Sequence, residues 1–138
     1  MTTQVDGVRL SRTHVVDMMS APVLTVETGE TLWDAWQLMF VSGLRHLVVV
    51  DEHGATVGVI SDRMIVTSLP TDATELGARR ISDVISASPH LRIEPGARPA
   101  EAAERMVAFG VEAVPVIDAN QRLVGMVTEA DLVRWIVQ

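Results

Sequence analysis

A shift of 67 positions lays this chain on itself without a gap: Val26 falls on Ile93, Gly29 on Gly96, Met39 on Met106, Gly43 on Gly110, Asp51 on Asp118 and Gly58 on Gly125. An internal period of that size constrains the fold more than any single motif, because each copy must be one supersecondary unit repeated in order. Just upstream, Met19-Ser20-Ala21-Pro22 matches Ile85-Ser86-Ala87-Ser88-Pro89 with one inserted residue, so the copies begin near Val15 and Ile81. The two copies agree in plan most clearly at Gly58-Val59-Ile60-Ser61-Asp62-Arg63-Met64-Ile65 and Gly125-Met126-Val127-Thr128-Glu129-Ala130-Asp131-Leu132. Each is a short apolar strand opening on Gly, then a hydroxyl residue in N-cap position, then the first turn of a helix.

Within a copy, Val23–Val26 and His90–Ile93 are predicted to be short strands, followed by the turn signals Thr28-Gly29 and Pro95-Gly96. Helices are predicted from Thr31 to Phe40 and from Pro99 to Phe109. Leu32, Ala35, Trp36, Met39 and Phe40 recur at helical spacing in the first, as do Ala102, Ala103, Met106 and Val107 in the second, so one face of each should be buried. Gly43 and Gly110 stand where C-cap residues belong. Leu47–Val50 and Val114–Ile117 are continuous apolar runs, as strands covered on both faces require. Turns at Asp51–Gly54 and Asp118–Gln121 lead into strands Thr56–Ile60 and Leu123–Val127, making hairpins. Helices Asp62–Leu69 and Glu129–Val137 close the copies. The expected class is α/β (α+β), with two β-α-β-β-α repeats: an N-terminal tail over 1–13, carrying the apolar Val8 and Leu10, a first repeat over 14–70, a polar linker over 71–80 and a second repeat over 81–138. One such repeat buries too little surface to be comfortable alone, and two packed together solve that.

Composition narrows the function. Eleven Lys and Arg against 18 Asp and Glu leave a formal charge of −7, which argues against nucleic acid as a general partner. Cysteine is absent, so disulfides, thiolate metal sites and cysteine nucleophiles are excluded together. The polar start Met1–Gly7 has no signal-peptide pattern and no apolar run reaches membrane-spanning length, so a soluble cytoplasmic protein is the expectation. His14, His53 and His90 are scattered without ligand spacing, so no metal site is predicted. Nucleophile elbows, zinc-protease helices and phosphate loops are missing from the sequence, and no catalytic residue is assigned.

Two readings of Thr128-x-x-Asp131 stand side by side. Thr128 and Asp131 satisfy the logic of a capping box, in which hydroxyl and carboxylate reciprocally bind backbone amides. The same helix start offers unpaired amides and a positive dipole end to an anion. Gly58 and Gly125 mark room for a ligand, a bulge or a close packing point. Trp33, Trp36 and Trp135 are read as core or interface packing rather than base-stacking groups.

The repeated features, in the same order at one spacing, resemble a tandem pair of cystathionine-β-synthase (CBS) domains, a Bateman module, over residues 14–138. They are the segment after Asp-x-Met or Asp-x-Ile, the apolar strand ending in Asp51 or Asp118, and the Gly-h-h-[Ser/Thr]-x-x-[Asp] signature, where h is apolar. The resemblance implies two sheets packed about a pseudo-twofold axis, two clefts between the copies, disc-like homodimers, and control of an attached or partner protein by adenosine-containing ligands: AMP, ADP, ATP or S-adenosylmethionine. Carried onto this chain, it makes Asp131 the acceptor for ribose hydroxyls and Thr128 the group facing phosphate. The base-packing wall of that main cleft would come from Met19, Ser20, Pro22, Leu24, Leu44 and Met126. Glu112-Ala113 fills the position where the family often presents a basic or polar residue. A carboxylate beside phosphates is repulsive, so adenosine, a monophosphate or S-adenosylmethionine suits this cleft better than a triphosphate, with AMP favoured.

The first signature departs from the pattern, because Met64 occupies the place of the ribose-binding Asp. Arg45, His46, Ser61 and Arg63 nonetheless match its phosphate-facing positions, and Ser86, Pro89, Leu91 and Val111 would form its base wall. The expected function is therefore a non-enzymatic regulatory module with no required cofactor, signalling ligand occupancy to a separate effector or within a homodimer. The alternative is a ligand-free structural or interaction dimer in which Glu112 and Met64 record lost binding.

Overall fold

A computed structural model describes residues 13–69 and 76–138. Val8, Leu10 and the first part of the predicted linker lie outside them. In chain order the elements are helix α1 (Val15–Met18), strand β1 (Thr25–Glu27), helix α2 (Leu32–Ser42), strands β2 (His46–Val50) and β3 (Thr56–Ser61), helix α3 (Asp62–Ser68), a 3-10 turn at Ile81–Asp83, helix α4 (Pro99–Phe109), strands β4 (Ala113–Ile117) and β5 (Leu123–Thr128) and helix α5 (Glu129–Val137). The class is mixed α/β, with the strand-strand-helix half of each repeat closing as the periodicity requires.

Contacts divide the chain into two units that do not follow the repeats. Val23–His90 is a central unit, while the described residues up to Pro22 join Leu91–Gln138 in a C-terminal unit. The segment that opens the first repeat thus packs with the second: Val15 N–H donates to Ala97 O (2.8 Å) and Val16 N–H to Pro95 O (3.0 Å). Reciprocally, the segment that opens the second repeat is held in the central unit, where Ile81 N–H donates to Glu30 O (2.9 Å) and Ser88 N–H to Val57 O (2.7 Å). The connection back to Ile81 is packed as well: Leu76 is buried, and Leu32 N–H donates to Arg79 O.

The central unit holds a three-stranded sheet in the order β1-β2-β3, with β1 parallel and β3 antiparallel to β2. Its core gathers Val26, Leu32, Ala35, Met39, Leu47, Val49, Ile60 and Ile65, with Trp36 and Met64 packed against it. Helix α2 opens on a capping box between Thr31 and Asp34 and ends at Gly43, whose φ of 76° is the left-handed conformation that lacks a Cβ penalty only in Gly.

The C-terminal unit departs from the predicted strand at His90–Ile93. Among the described residues its sheet is the hairpin β4-β5, and Ile93 makes a single parallel bridge to Val116. Two prolines account for the loss. In the central unit, pairing is extended by Val48 N–H donating to Leu24 O (3.1 Å) and Thr28 N–H donating to Val50 O (3.0 Å). The repeat-related donors would be Pro115 and Pro95, which have no N–H.

The helices correct a second expectation. Leu32, Ala35 and Met39 are buried, but Phe40 is 84% exposed and Trp33 46%; on α4, Ala102 and Met106 are buried while Val107 is 84% exposed. A helix lying on one sheet buries a stripe at i, i+3 and i+7, and Phe40 and Val107 each fall one residue, about 100° of rotation, beyond it. No helix among the described residues is long and apolar enough to cross a membrane.

Candidate functional site

Strand β5 delivers the candidate site in the C-terminal unit. Its last residue, Thr128, leaves the sheet in an extended conformation and caps α5. Thr128 Oγ1 accepts from Asp131 N–H (3.2 Å) and Asp131 Oδ2 accepts from Thr128 N–H (2.9 Å), so the capping box is formed in full.

Capping does not exhaust what Asp131 does, and the chain contains its own control. Asp34 closes an equivalent box with Thr31 on α2, accepting from Thr31 N–H at 2.9 Å, and remains exposed, with no further partner among the described residues. Asp131 is only 3% exposed. Its Oδ1 accepts from the Ser20 hydroxyl at 2.8 Å, across 111 positions of sequence, and from Arg134 Nη2 at 2.5 Å. A carboxylate removed from water needs such charge and hydrogen-bond compensation. Arg134 is the neighbour in this candidate site that the motif reading missed. Its signal was its place three residues after Asp131 on a helix, where side chains meet.

Ser20 is brought there by backbone pairing. Ser20 N–H donates to Met126 O (2.8 Å) and Met126 N–H to Ser20 O (3.0 Å), an antiparallel bridge that straps the Met19-Ser20 segment to β5. Met19 lies over Gly125: a Cβ at that glycine would overlap the Met19 sulfur. Gly125 is therefore a close packing point. Four of the predicted main-cleft residues, Ser20, Met126, Thr128 and Asp131, converge within this unit, with Met126 buried and Met19 half-buried beside them. Pro22 is exposed at the unit's boundary, and Leu24 and Leu44 belong to the central unit.

The repeat-related corner of the central unit is simpler. Ser61 is buried and caps α3 by accepting from Met64 N–H (3.0 Å), with no acidic partner to complete a box. Arg45, expected to face a phosphate, is engaged by Asp62: its Nε donates to Asp62 Oδ2 at 3.0 Å. Arg63 is exposed and His46 half-buried at the start of β2. Leu44 and Arg45 share an apolar pocket of about 190 Å³ with Trp36, Met39 and Phe40. Of the second proposed base wall, Ser86 and Pro89 lie in the central unit, whereas Leu91, only 2% exposed, and Val111 lie in the C-terminal one. Among the described residues no group of three or more His, Asp or Glu could hold a metal ion.

The turns between paired strands match closely. Asp51 Oδ1 accepts from the amides of His53 (2.8 Å) and Ala55 (3.0 Å), and Asp118 Oδ1 from those of Asn120 (2.8 Å) and Arg122 (2.9 Å). The Ala55 and His53 amides hold the Asp51 carboxyl below its ordinary value of 3.8.

One family model, described as the CBS domain, matches this chain twice, over residues 15–71 and 81–138. A homoserine O-acetyltransferase of Methanococcoides burtonii is 32% identical over 92% of the chain, which spans only 25% of that relative. Among solved structures, a CBS domain pair in complex with 5′-methylthioadenosine and S-adenosyl-L-methionine is 27% identical, with a TM-score of 0.70 over 88% of this chain and 94% of its own. Hypoxic Response Protein I, solved with two coordinated zinc ions, is 30% identical, with a TM-score of 0.69 over 88% and 98%.

Proposed function

Because the chain belongs to the CBS domain family, we propose that it is a regulatory module that binds an adenosine-type ligand at Asp131, AMP most favourably, and signals occupancy to a partner protein. The observation that carries this reading is the buried Asp131 carboxylate. Asp34 shows that a capping box alone leaves its acid in water, whereas Asp131 is withdrawn and supported from a distant segment. A carboxylate so oriented suits the two hydroxyls of a ribose, with Thr128 at the helix start for a phosphate. The similar domain pair that holds 5′-methylthioadenosine and S-adenosyl-L-methionine supports the ligand class. Glu112, at the foot of the same strand hairpin, disfavours a polyphosphate.

The central unit receives no ribose site in this reading, since Met64 packs against its core and Asp62 already engages Arg45. Exposed apolar flanks, Phe40, Val41 and Val66 in the central unit and Val107, Val133 and Ile136 in the C-terminal one, support homodimerisation through the helices. Transmission requires the ligand to favour one arrangement of the protein over another, because equal affinity for both shifts nothing.

The test is thermal unfolding of the wild type and Asp131→Ala with AMP, ADP, ATP and S-adenosylmethionine in turn. A ligand at a hundred times its Kd adds about 2.7 kcal/mol, a rise on the order of 5–15 °C for a chain of this length. The expected result is a rise with AMP that disappears in the variant. Internal satisfaction of Asp131 by Ser20, Arg134 and Thr128 favours a second reading, a structural CBS pair without ligand; no rise with any of the four at millimolar concentration selects it.

A further inference from the structure

We propose that the Ser20 hydroxyl acts as an internal stand-in for a ribose hydroxyl on Asp131, so that a diol ligand enters by exchange and Ser20 sets how tightly it is held. The inference rests on the reading of Asp131 as a ribose acceptor and adds its regulation. An ionised carboxylate offers about four acceptor positions. Three are taken: Oδ1 by Ser20 Oγ at 2.8 Å and Arg134 Nη2 at 2.5 Å, Oδ2 by Thr128 N–H at 2.9 Å. A pair of ribose hydroxyls needs two, and one is left.

Which partner yields follows from cost. Thr128 N–H is the N-cap half of the capping box that opens α5, and losing that bond breaks the box. Arg134 supplies the countercharge of a carboxylate that is 3% exposed, and a buried carboxylate without its cation is strongly destabilised. Ser20 is the exchangeable partner. It donates one O–H, as a ribose hydroxyl would, so the exchange conserves the bonds to Oδ1. Its backbone bridge to Met126 stays in place while the side chain rotates to another staggered position. Met19, unbranched and flexible, rests on Gly125 next to it and can follow.

The consequence is a damped preference for the diol: each ligand hydroxyl gained on Oδ1 costs one Ser20 bond. Titration calorimetry on the full chain reads this directly, using AMP and 2′,3′-dideoxyadenosine monophosphate as probes against the wild type, Ser20→Ala, Ser20→Thr and Asp131→Ala. Ser20→Ala is expected to bind AMP about tenfold more tightly, as for one added hydrogen bond to a charged acceptor, while its affinity for the dideoxy probe stays at the wild-type value. Ser20→Thr keeps the hydroxyl and returns AMP to wild-type affinity. AMP binding seen in Ser20→Ala alone also supports the exchange, as its tight limit. The exchange is overturned, with the site intact, if Asp131→Ala weakens AMP but Ser20→Ala binds it no more tightly than the wild type, or tightens both probes alike. If AMP binds Asp131→Ala as well as the wild type, or binds neither the wild type nor Ser20→Ala, the ribose reading itself falls and the exchange falls with it.

Discussion

The closing helices of the two repeats begin alike and then part. Both α3 and α5 follow an extended strand, and both are capped by a hydroxyl, Ser61 or Thr128. Three residues on, α3 carries Met64, packed against an apolar core, and α5 carries Asp131, buried among three donors. Three residues further the difference repeats: Thr67 turns back to the carbonyls of Arg63 and Met64, whereas Arg134 reaches Asp131. One substituted position therefore recruits a second, because a buried acid requires a cation and a Met does not. A duplicated scaffold can thus carry an acidic corner in one copy and an apolar one in the other with the same backbone.

The largest expected effect breaks that contrast at its centre. Asp131→Ala should destabilise the protein by about 2 kcal/mol in denaturant unfolding, since it removes a cap and leaves the Ser20 hydroxyl and Thr128 amide without their acceptor. Asp34→Ala, which removes only an exposed box, should cost well under half as much. Equal losses would mean that burial adds nothing to the box. Next come the paired glycines. Gly125→Ala must push Met19 aside, while Gly58→Ala meets Ile85 Cδ1 at 3.3 Å, so the first should cost about 1 kcal/mol more than the second. Thermal midpoints of the two variants decide it.

A smaller effect concerns the sheets. Pro115→Val restores the donor that its repeat-mate Val48 uses on Leu24. Stability should change by no more than about 0.5–1 kcal/mol, but the new amide at 115 should become protected against hydrogen exchange as Leu91 pairs with β4. An unprotected amide there would show that Pro95, or the fold, sets the strand length. The smallest effect tests where the repeats agree. Asp51 is lowered in the folded state, so it contributes stability above its ordinary value of 3.8, lost as pH falls through the folded value. Carboxyl titration by NMR should find its midpoint below 3.8, and Asp51→Asn should flatten that part of the pH–stability curve.

Element order was legible because it rests on short-range signals. Gly43 and Gly110 end their helices in left-handed conformations, as their spacing demanded, and Thr128 and Asp131 close a box only three residues wide. Pro115 was visible in the sequence too, yet its effect on the facing segment was not, since a lost donor matters only once its acceptor, Leu91, is known. Phe40 and Val107 were assigned to buried faces because periodicity reports which residues share a side, not how wide a stripe the sheet covers.

What the sequence alone determined is the repeat, its longer helices and hairpins, and the caps at Gly43, Gly110 and Thr128, because hydrogen bonds between residues three or four apart are set by residue type and spacing. What only tertiary structure decided is the company Asp131 keeps and the regrouping that gives the opening segment of one repeat to the unit of the other. Ser20 and Asp131 are separated by 111 positions, and nothing local selects such a pairing. It forms because the strap from Ser20 to Met126 satisfies the edge of β5 and the burial of the whole unit offsets the entropy of closing so long a loop.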